Sequence, residues 1–93
     1  MPATELLHLR IHIAENAFAM LRILLVDPSI LGSAHQYKYS LAYIVNDECV
    51  LRYDNERGKG DHKHFSGQEF PVTFTTIENL IDSFQAEINL LRR

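Results

Sequence analysis

Along residues 6 to 26, apolar and polar side chains alternate. Leu7, Leu9, Ile11 and Ile13 are interleaved with His8, Arg10 and His12, the period of two expected of a strand with one buried face. After Ala14-Glu15-Asn16 a second apolar series runs through Ala17, Ala19, Leu21, Ile23 and Leu25. A three-residue connection keeps both odd-numbered series on one face, which predicts a hairpin. Ala17 to Leu25 also holds good helix formers, so a helix there is the competing assignment. Asp27-Pro28-Ser29 ends the pattern, because proline lacks the backbone donor and restricts the residue before it. Residues 27 to 35 therefore read as a loop bending at Gly32-Ser33.

The clearest strand follows. Tyr37, Tyr39, Leu41, Tyr43 and Val45 alternate with Gln36, Lys38, Ser40 and Ala42, and aromatic side chains favour a pleated surface. Asn46-Asp47 suits a two-residue turn, since both residues tolerate positive φ, and Glu48 to Asp54 returns as the paired strand. A two-residue turn sets Val45 opposite Glu48 and Lys38 opposite Asn55. A three-residue turn pairs Tyr43 with Leu51 and Lys38 with Glu56, with a cleaner apolar face. Either register brings Lys38 beside Asp54 to Glu56. Arg57 to Gly60 reads as loop, and Asp61 to Phe65 with Phe70 to Phe74 as a short hairpin around Ser66-Gly67. Thr75-Thr76-Ile77-Glu78 has capping-box spacing, with Thr75 as N-cap. Ile77, Leu80, Ile81, Phe84, Ile88 and Leu91 then share one helical face, and Arg92 and Arg93 sit where cations favour a helix end. The pattern predicts one α+β domain, an antiparallel sheet of four to six strands packed by an amphipathic C-terminal helix over 76–91.

At 93 residues there is room for a single core. A net charge of −3 argues mildly against a general nucleic-acid binder. A local basic face remains open to the chain, because His8, Arg10, His12, Arg22, Lys38 and Ser40 fall on the polar side of the expected sheet. The bland explanation of that face is ordinary solvation of an antiparallel sheet. Cys49 has no partner for a disulfide, sits in an apolar run and reads as a small core residue, as suits a reducing cytoplasm. The apolar runs are far shorter than the ~18 residues a membrane span requires, so no membrane association is expected.

Composition adds most at residues 52 to 64. Four cations, three carboxylates, two histidines and two glycines occupy thirteen positions with one large apolar side chain. Gly58-Lys59-Gly60 resembles a phosphate-binding turn but lacks Walker spacing. His62 and His64 point to one side of a strand and suit a metal, with Asp61 or Asp54 as an oxygen ligand. A complete metal shell then needs His35 or His8 to converge from afar. The third option is metal-free RNA cleavage. That chemistry needs a base for the 2′-hydroxyl, an acid for the leaving oxygen and cations for the phosphate. His62, His64, Lys59, Arg57, Arg52 and Lys38 supply those groups, with Tyr39 or Tyr53 for stacking. Against all three stands internal pairing, in which Asp54, Asn55, Arg57 and Asp61 merely cap turns.

His35-Gln-Tyr-Lys-Tyr-Ser-Leu-Ala-Tyr43, followed by Tyr53-Asp-Asn-Glu-Arg-Gly-Lys-Gly-Asp-His-Lys-His64, closely resembles the TumE-type toxins of prokaryotic type II toxin–antitoxin modules. Phe74-Thr-Thr-Ile-Glu-Asn-Leu80 fits the same pattern. The resemblance runs from about Gly32 to Glu87, with residues 1 to 31 carrying less of it. It implies a small cytoplasmic toxin partnered by a helix-turn-helix antitoxin, in a class where ribonucleases are common. Asp54, Asn55, Glu56, Gly58 and Gly60 belong to its signature, together with Arg57, Lys59, Asp61, His62 and His64.

These observations combine into one expectation: a growth-inhibiting, metal-independent ribonuclease with no cofactor. His62, His64, Lys59 and Asp61 are its expected catalytic residues, and Lys38, Arg52, Arg57 and Tyr39 its RNA- and phosphate-binding ones. A non-enzymatic module docking on a protein or on the translation machinery is the alternative, and a metal-dependent nuclease the third. A long exposed strand would also let two copies pair edge to edge.

Overall fold

The computed structural model describes residues 3–56 and 58–93. Six antiparallel strands lie in the sheet in chain order: β1 (Ala3–Ala14), β2 (Ala17–Val26), β3 (Tyr37–Val45), β4 (Glu48–Glu56), β5 (Gly60–Phe65) and β6 (Gln68–Pro71). A helix, α1 (Ile77–Leu91), packs on one face, so the α+β arrangement is as expected. No helix among the described residues is long and apolar enough to cross a membrane.

The first apolar series does form a hairpin, and the competing helix over 17–25 is absent. Its connection is two residues long, because Ala14 pairs with Ala17. An extra residue, Ile13, is accommodated as an irregularity next to that turn. Leu9 then lies opposite Leu21 and Ile11 opposite Ala19, with both odd series on the helix side. On β1 this face is poorly covered, and Leu9 and Ile11 stay 46% and 41% exposed.

In the central hairpin both anticipated registers occur in succession. Asn46 and Asp47 adopt φ of 50° and 64°, and the two-residue turn sets Val45 opposite Glu48 and Ile44 opposite Cys49. Val50 is then bulged, after which Tyr43 faces Leu51 and Leu41 faces Tyr53. The turn follows local backbone preference, while the bulge restores the apolar face. One consequence corrects the sequence reading: Cys49 is exposed and not a core residue.

The last hairpin is tighter than expected. Ser66 and Gly67 take φ of 55° and 75°, so pairing resumes at once, with Phe65 opposite Gln68 and His64 opposite Glu69. β6 therefore occupies Gln68–Pro71 and not 70–74. It stops at Pro71, which cannot donate to the ladder. The helix cap also shifts by one residue. Thr76 Oγ1 accepts the Asn79 N–H at 3.0 Å, while Asn79 Nδ2 donates to Thr75 Oγ1 at 2.9 Å. Glu78 is thus too early in the helix to close a capping box.

Leu80, Phe84 and Ile88 are the buried face of α1, and join Leu21, Ile23, Leu41, Tyr43, Leu51 and Tyr53 in one core. Leu91, expected on that face, is 41% exposed. Phe84 meets the Tyr53 ring edge-on at 5.6 Å. The Tyr53 hydroxyl donates to Glu87, which also binds Lys63 Nζ at 2.7 Å. Arg92 Nη1 reaches Tyr43 Oη at 2.9 Å. The helix thereby covers one side of β2 to β4, and the polar side of β2 to β5 is left uncovered by it.

Candidate functional site

Strand alternation sorts residues 51 to 65 onto two faces. Tyr53 pairs with Lys63 and Asn55 with Asp61, and these point toward the helix side. Arg52 pairs with His64 and Asp54 with His62 on the open face.

On the open face the histidines meet carboxylates. His62 is 5% exposed, and its Nδ1 lies 2.9 Å from the Gly60 carbonyl oxygen. A carbonyl only accepts, so Nδ1 carries the hydrogen and Nε2 faces the cluster. Around His62 Nε2 stand Asp54 Oδ1 at 2.7 Å, Glu69 Oε1 at 3.5 Å and Glu56 Oε1 at 3.8 Å. His64 Nε2 is 3.6 Å from the same Asp54 oxygen, and its ring meets that of His62 edge-on at 4.9 Å. Arg52 Nε lies 3.2 Å from Asp54 Oδ2, while Lys59 Nζ sits 3.5 Å from Glu69 and 3.7 Å from Glu56. One donor atom each from Asp54, Glu56, His62 and His64 falls within 4.8 Å of the others. Such a set can transfer protons or hold a divalent metal ion.

The row containing Asp54 crosses most of the sheet. His8 lies opposite Arg22, Arg22 opposite Ser40, Ser40 opposite Asp54, and Asp54 opposite His62. A shallow pocket of about 140 Å³ links Arg22, Lys38 and Ser40 to Asp54 and Glu56. The open face thus runs from cations on β2 and β3 to histidines and carboxylates on β4 and β5.

The helix side carries a second histidine–carboxylate pair of different character. The Tyr37 N–H donates to His35 Nδ1 at 3.1 Å, so Nε2 carries the hydrogen that meets Asp61 Oδ1 at 2.8 Å. The Tyr39 hydroxyl donates to that same oxygen at 2.7 Å. Burial first, and then this bond, push the Tyr39 hydroxyl far above its ordinary pKa. His35 also stacks on Phe74 at 3.8 Å. Below them Asn55, 1% exposed, accepts the Tyr39 N–H at 3.0 Å and donates to the Tyr37 carbonyl at 2.7 Å. These bonds fasten the loop after β2, and the segment before α1, to the sheet.

The residues singled out from sequence therefore divide. His62, His64, Lys59 and Arg52 come together, joined by the signature residues Asp54 and Glu56, with Lys38 nearby on the same face. Asp61, Tyr39 and Asn55 lie on the other face within the buried network, and the Tyr39 ring, 3% exposed, is not free for stacking. Gly58 spends its N–H on the Leu31 carbonyl at 2.6 Å, so the glycine turn packs against the preceding loop. Gly60 supplies the carbonyl that orients His62. Arg57 lies outside the described residues. Neither distant histidine converges on the pair, since His35 holds Asp61 and His8 sits 3.1 Å from Glu5. Of the two oxygen ligands expected, Asp54 stands beside the pair and is joined by Glu56, while Asp61 lies on the other face. Glu69 was not anticipated, although a two-residue Ser66-Gly67 turn already places it opposite His64.

A family model described as Toxin TumE matches residues 2–92, which extends the likeness through the first hairpin. Comparison with curated proteins and with solved structures gives no match. Since the family model spans nearly the whole chain, this protein belongs to the TumE toxin family.

Proposed function

We propose that this toxin arrests growth by cleaving RNA, with the reacting centre at Asp54, His62 and His64 on the open sheet face. The observation that carries this reading is the convergence of two histidines on one carboxylate, at the end of a face that also presents Arg22, Lys38, Arg52 and Lys59. Phosphate groups of a single strand would lie over Arg22 and Lys38, bringing the reacting phosphate toward His64. The His64 side chain is 31% exposed at the solvent edge of the cluster, with its Nε2 turned inward toward Asp54, whereas His62, 6% exposed, lies beneath. Cleavage through the ribose has the 2′-oxygen bond to phosphorus as the 5′-oxygen leaves. The 2′-hydroxyl proton passes to a base in the centre, and the 5′-oxygen takes a proton as it departs.

The cytoplasm is where this activity acts, and a helix-turn-helix antitoxin is the partner that restrains it. The test is induced expression of the wild type and of His64→Gln in one host, with total RNA examined soon after induction. New RNA fragments with the wild type alone are expected. Growth arrest by both proteins with intact RNA overturns RNA cleavage and turns the assignment to protein docking, which the chain's net charge of −3 would favour.

A further inference from the structure

The open-face cluster contains contacts that hydrogen bonding does not explain. His62 Nδ1 donates to the Gly60 carbonyl, and its Nε2 stands 2.7 Å from Asp54 Oδ1. Both atoms are buried. Neither has a hydrogen-bond partner among the described residues, because Oδ1 lies away from the direction of a ring N–H. His64 Nε2, 3.6 Å from the same oxygen, is also buried and unpartnered among these residues. Two imidazole nitrogens and a carboxylate oxygen thus crowd together with no aligned hydrogen bond among them. A cation resolves that conflict.

We propose that Asp54, Glu56, His62 and His64 bind a divalent transition-metal ion. Metal–ligand bonds of about 2.1 Å set tetrahedral ligands about 3.4 Å apart. Separations of 2.7, 3.6 and 3.8 Å among these donors bracket that value. The surrounding groups suit ligation too. The Gly60 carbonyl accepts the His62 Nδ1–H, and Arg52 Nε lies 3.2 Å from Asp54 Oδ2 as an ion pair without an aligned hydrogen bond. Glu56 is exposed and Glu69 Oε1 stands 3.5 Å from His62 Nε2, so the solvent side can admit a further oxygen ligand. Two imidazoles with carboxylates select ions such as Zn²⁺ or Mn²⁺ over Ca²⁺ or Mg²⁺.

Lys59 is the competing cation. Its ammonium is 3.5 and 3.7 Å from the two outer carboxylates, and its side chain is 52% exposed, so it can swing away as the ion enters. Metal binding stands independently of RNA cleavage. Its catalytic use rests on the function proposed above, where the ion would carry the charge developing on a phosphate oxygen.

The experiment is calorimetric titration of the chelator-treated full chain with ZnCl₂, MnCl₂ and MgCl₂, in a Cys49→Ser background that removes the exposed thiol. One Zn²⁺ or Mn²⁺ per chain is expected, with Mg²⁺ far weaker. The side chains of His64 and Glu56 are 31% and 47% exposed, so His64→Gln and Glu56→Gln should fold normally by circular dichroism. Each should lose affinity by roughly tenfold or more, while His12→Gln on the first hairpin binds as the parent does. No ion on the parent, or equal affinity in both ligand variants, overturns the site. RNA cleavage measured on the same samples separates the two ideas. Ion binding without cleavage removes the ribonuclease reading and leaves the site, whereas cleavage without ion binding does the reverse.

Discussion

Asp61 and His62 are neighbours in sequence, yet each joins a different histidine–carboxylate cluster on opposite faces of β5. On the helix side, Asp61 receives bonds from His35 and Tyr39, and the His35 ring nitrogens are both engaged. On the open side, Asp54, His62 and His64 are as close together, yet their facing atoms lack hydrogen-bond partners among the described residues. A satisfied buried network holds a fold together; an unsatisfied one beside solvent is poised to take up something else. Residue type and proximity are the same in both, so hydrogen-bond completeness is what separates scaffold from candidate site.

The sharpest way to break this comparison is to disable each cluster separately. His64→Gln and Asp54→Asn should each lower RNA cleavage by about 10²-fold or more. His64→Gln should shift urea unfolding by less than about 1 kcal/mol, as is usual for partly exposed positions. Asp61→Ala should do the opposite. It strips the Tyr39 hydroxyl and the His35 N–H of their acceptor, and should cost about 3 kcal/mol in urea unfolding. The molecules that remain folded should still cleave RNA.

A smaller effect links the two faces. Gly32 has φ of +88°, and a Cβ there would lie 3.1 Å from Gly58 Cα. Gly32→Ala should destabilise the chain by about 1–3 kcal/mol in the same assay. It should also loosen the turn through Gly60, and with it the orientation of His62. Smaller again are the outlying cations. Arg22→Ala and Lys38→Ala should weaken binding of single-stranded RNA regardless of sequence, each lowering the salt slope by about 0.7. An unchanged slope in filter-binding titrations would remove the strand from that part of the face.

The gentlest probe is pH. Burial, reinforced by Asp61 and Glu87 respectively, raises the pKa of Tyr39 and Tyr53 well above the ordinary tyrosine value. The unfolded tyrosines ionise near pH 10. Their contribution to stability is therefore fully present below about pH 10 and declines as pH rises further, because the folded chain then binds more protons. Denaturation followed from pH 8 to 11 should show this decline, and Tyr39→Phe should flatten it.

Period-two alternation carried most of the fold, since each strand shows a different face to the core. It failed where tertiary packing chose between local options. The Val50 bulge reconciles a two-residue turn with an apolar face, and neither requirement alone predicts it. The shift from Thr75 to Thr76 as N-cap shows how adjacent threonines offer equivalent caps. At the site, alternation within the predicted strand over 61–65 already separates Asp61 from His62 and His64. Grouping all three by composition overlooked that separation. The roles open to Asp54, Glu56 and Glu69 depend on cross-strand register, which became definite only once both flanking turns were known.

The most direct test of the open-face centre is RNA cleavage by purified protein, comparing the wild type with His64→Gln and Asp61→Ala at equal concentrations of folded chain. Zn²⁺ or Mn²⁺ should be present throughout. Cleavage by the wild type and by Asp61→Ala is expected, with its loss in His64→Gln. Equal cleavage by His64→Gln, or loss confined to Asp61→Ala, would contradict that expectation and move the chemistry to the other face of the sheet.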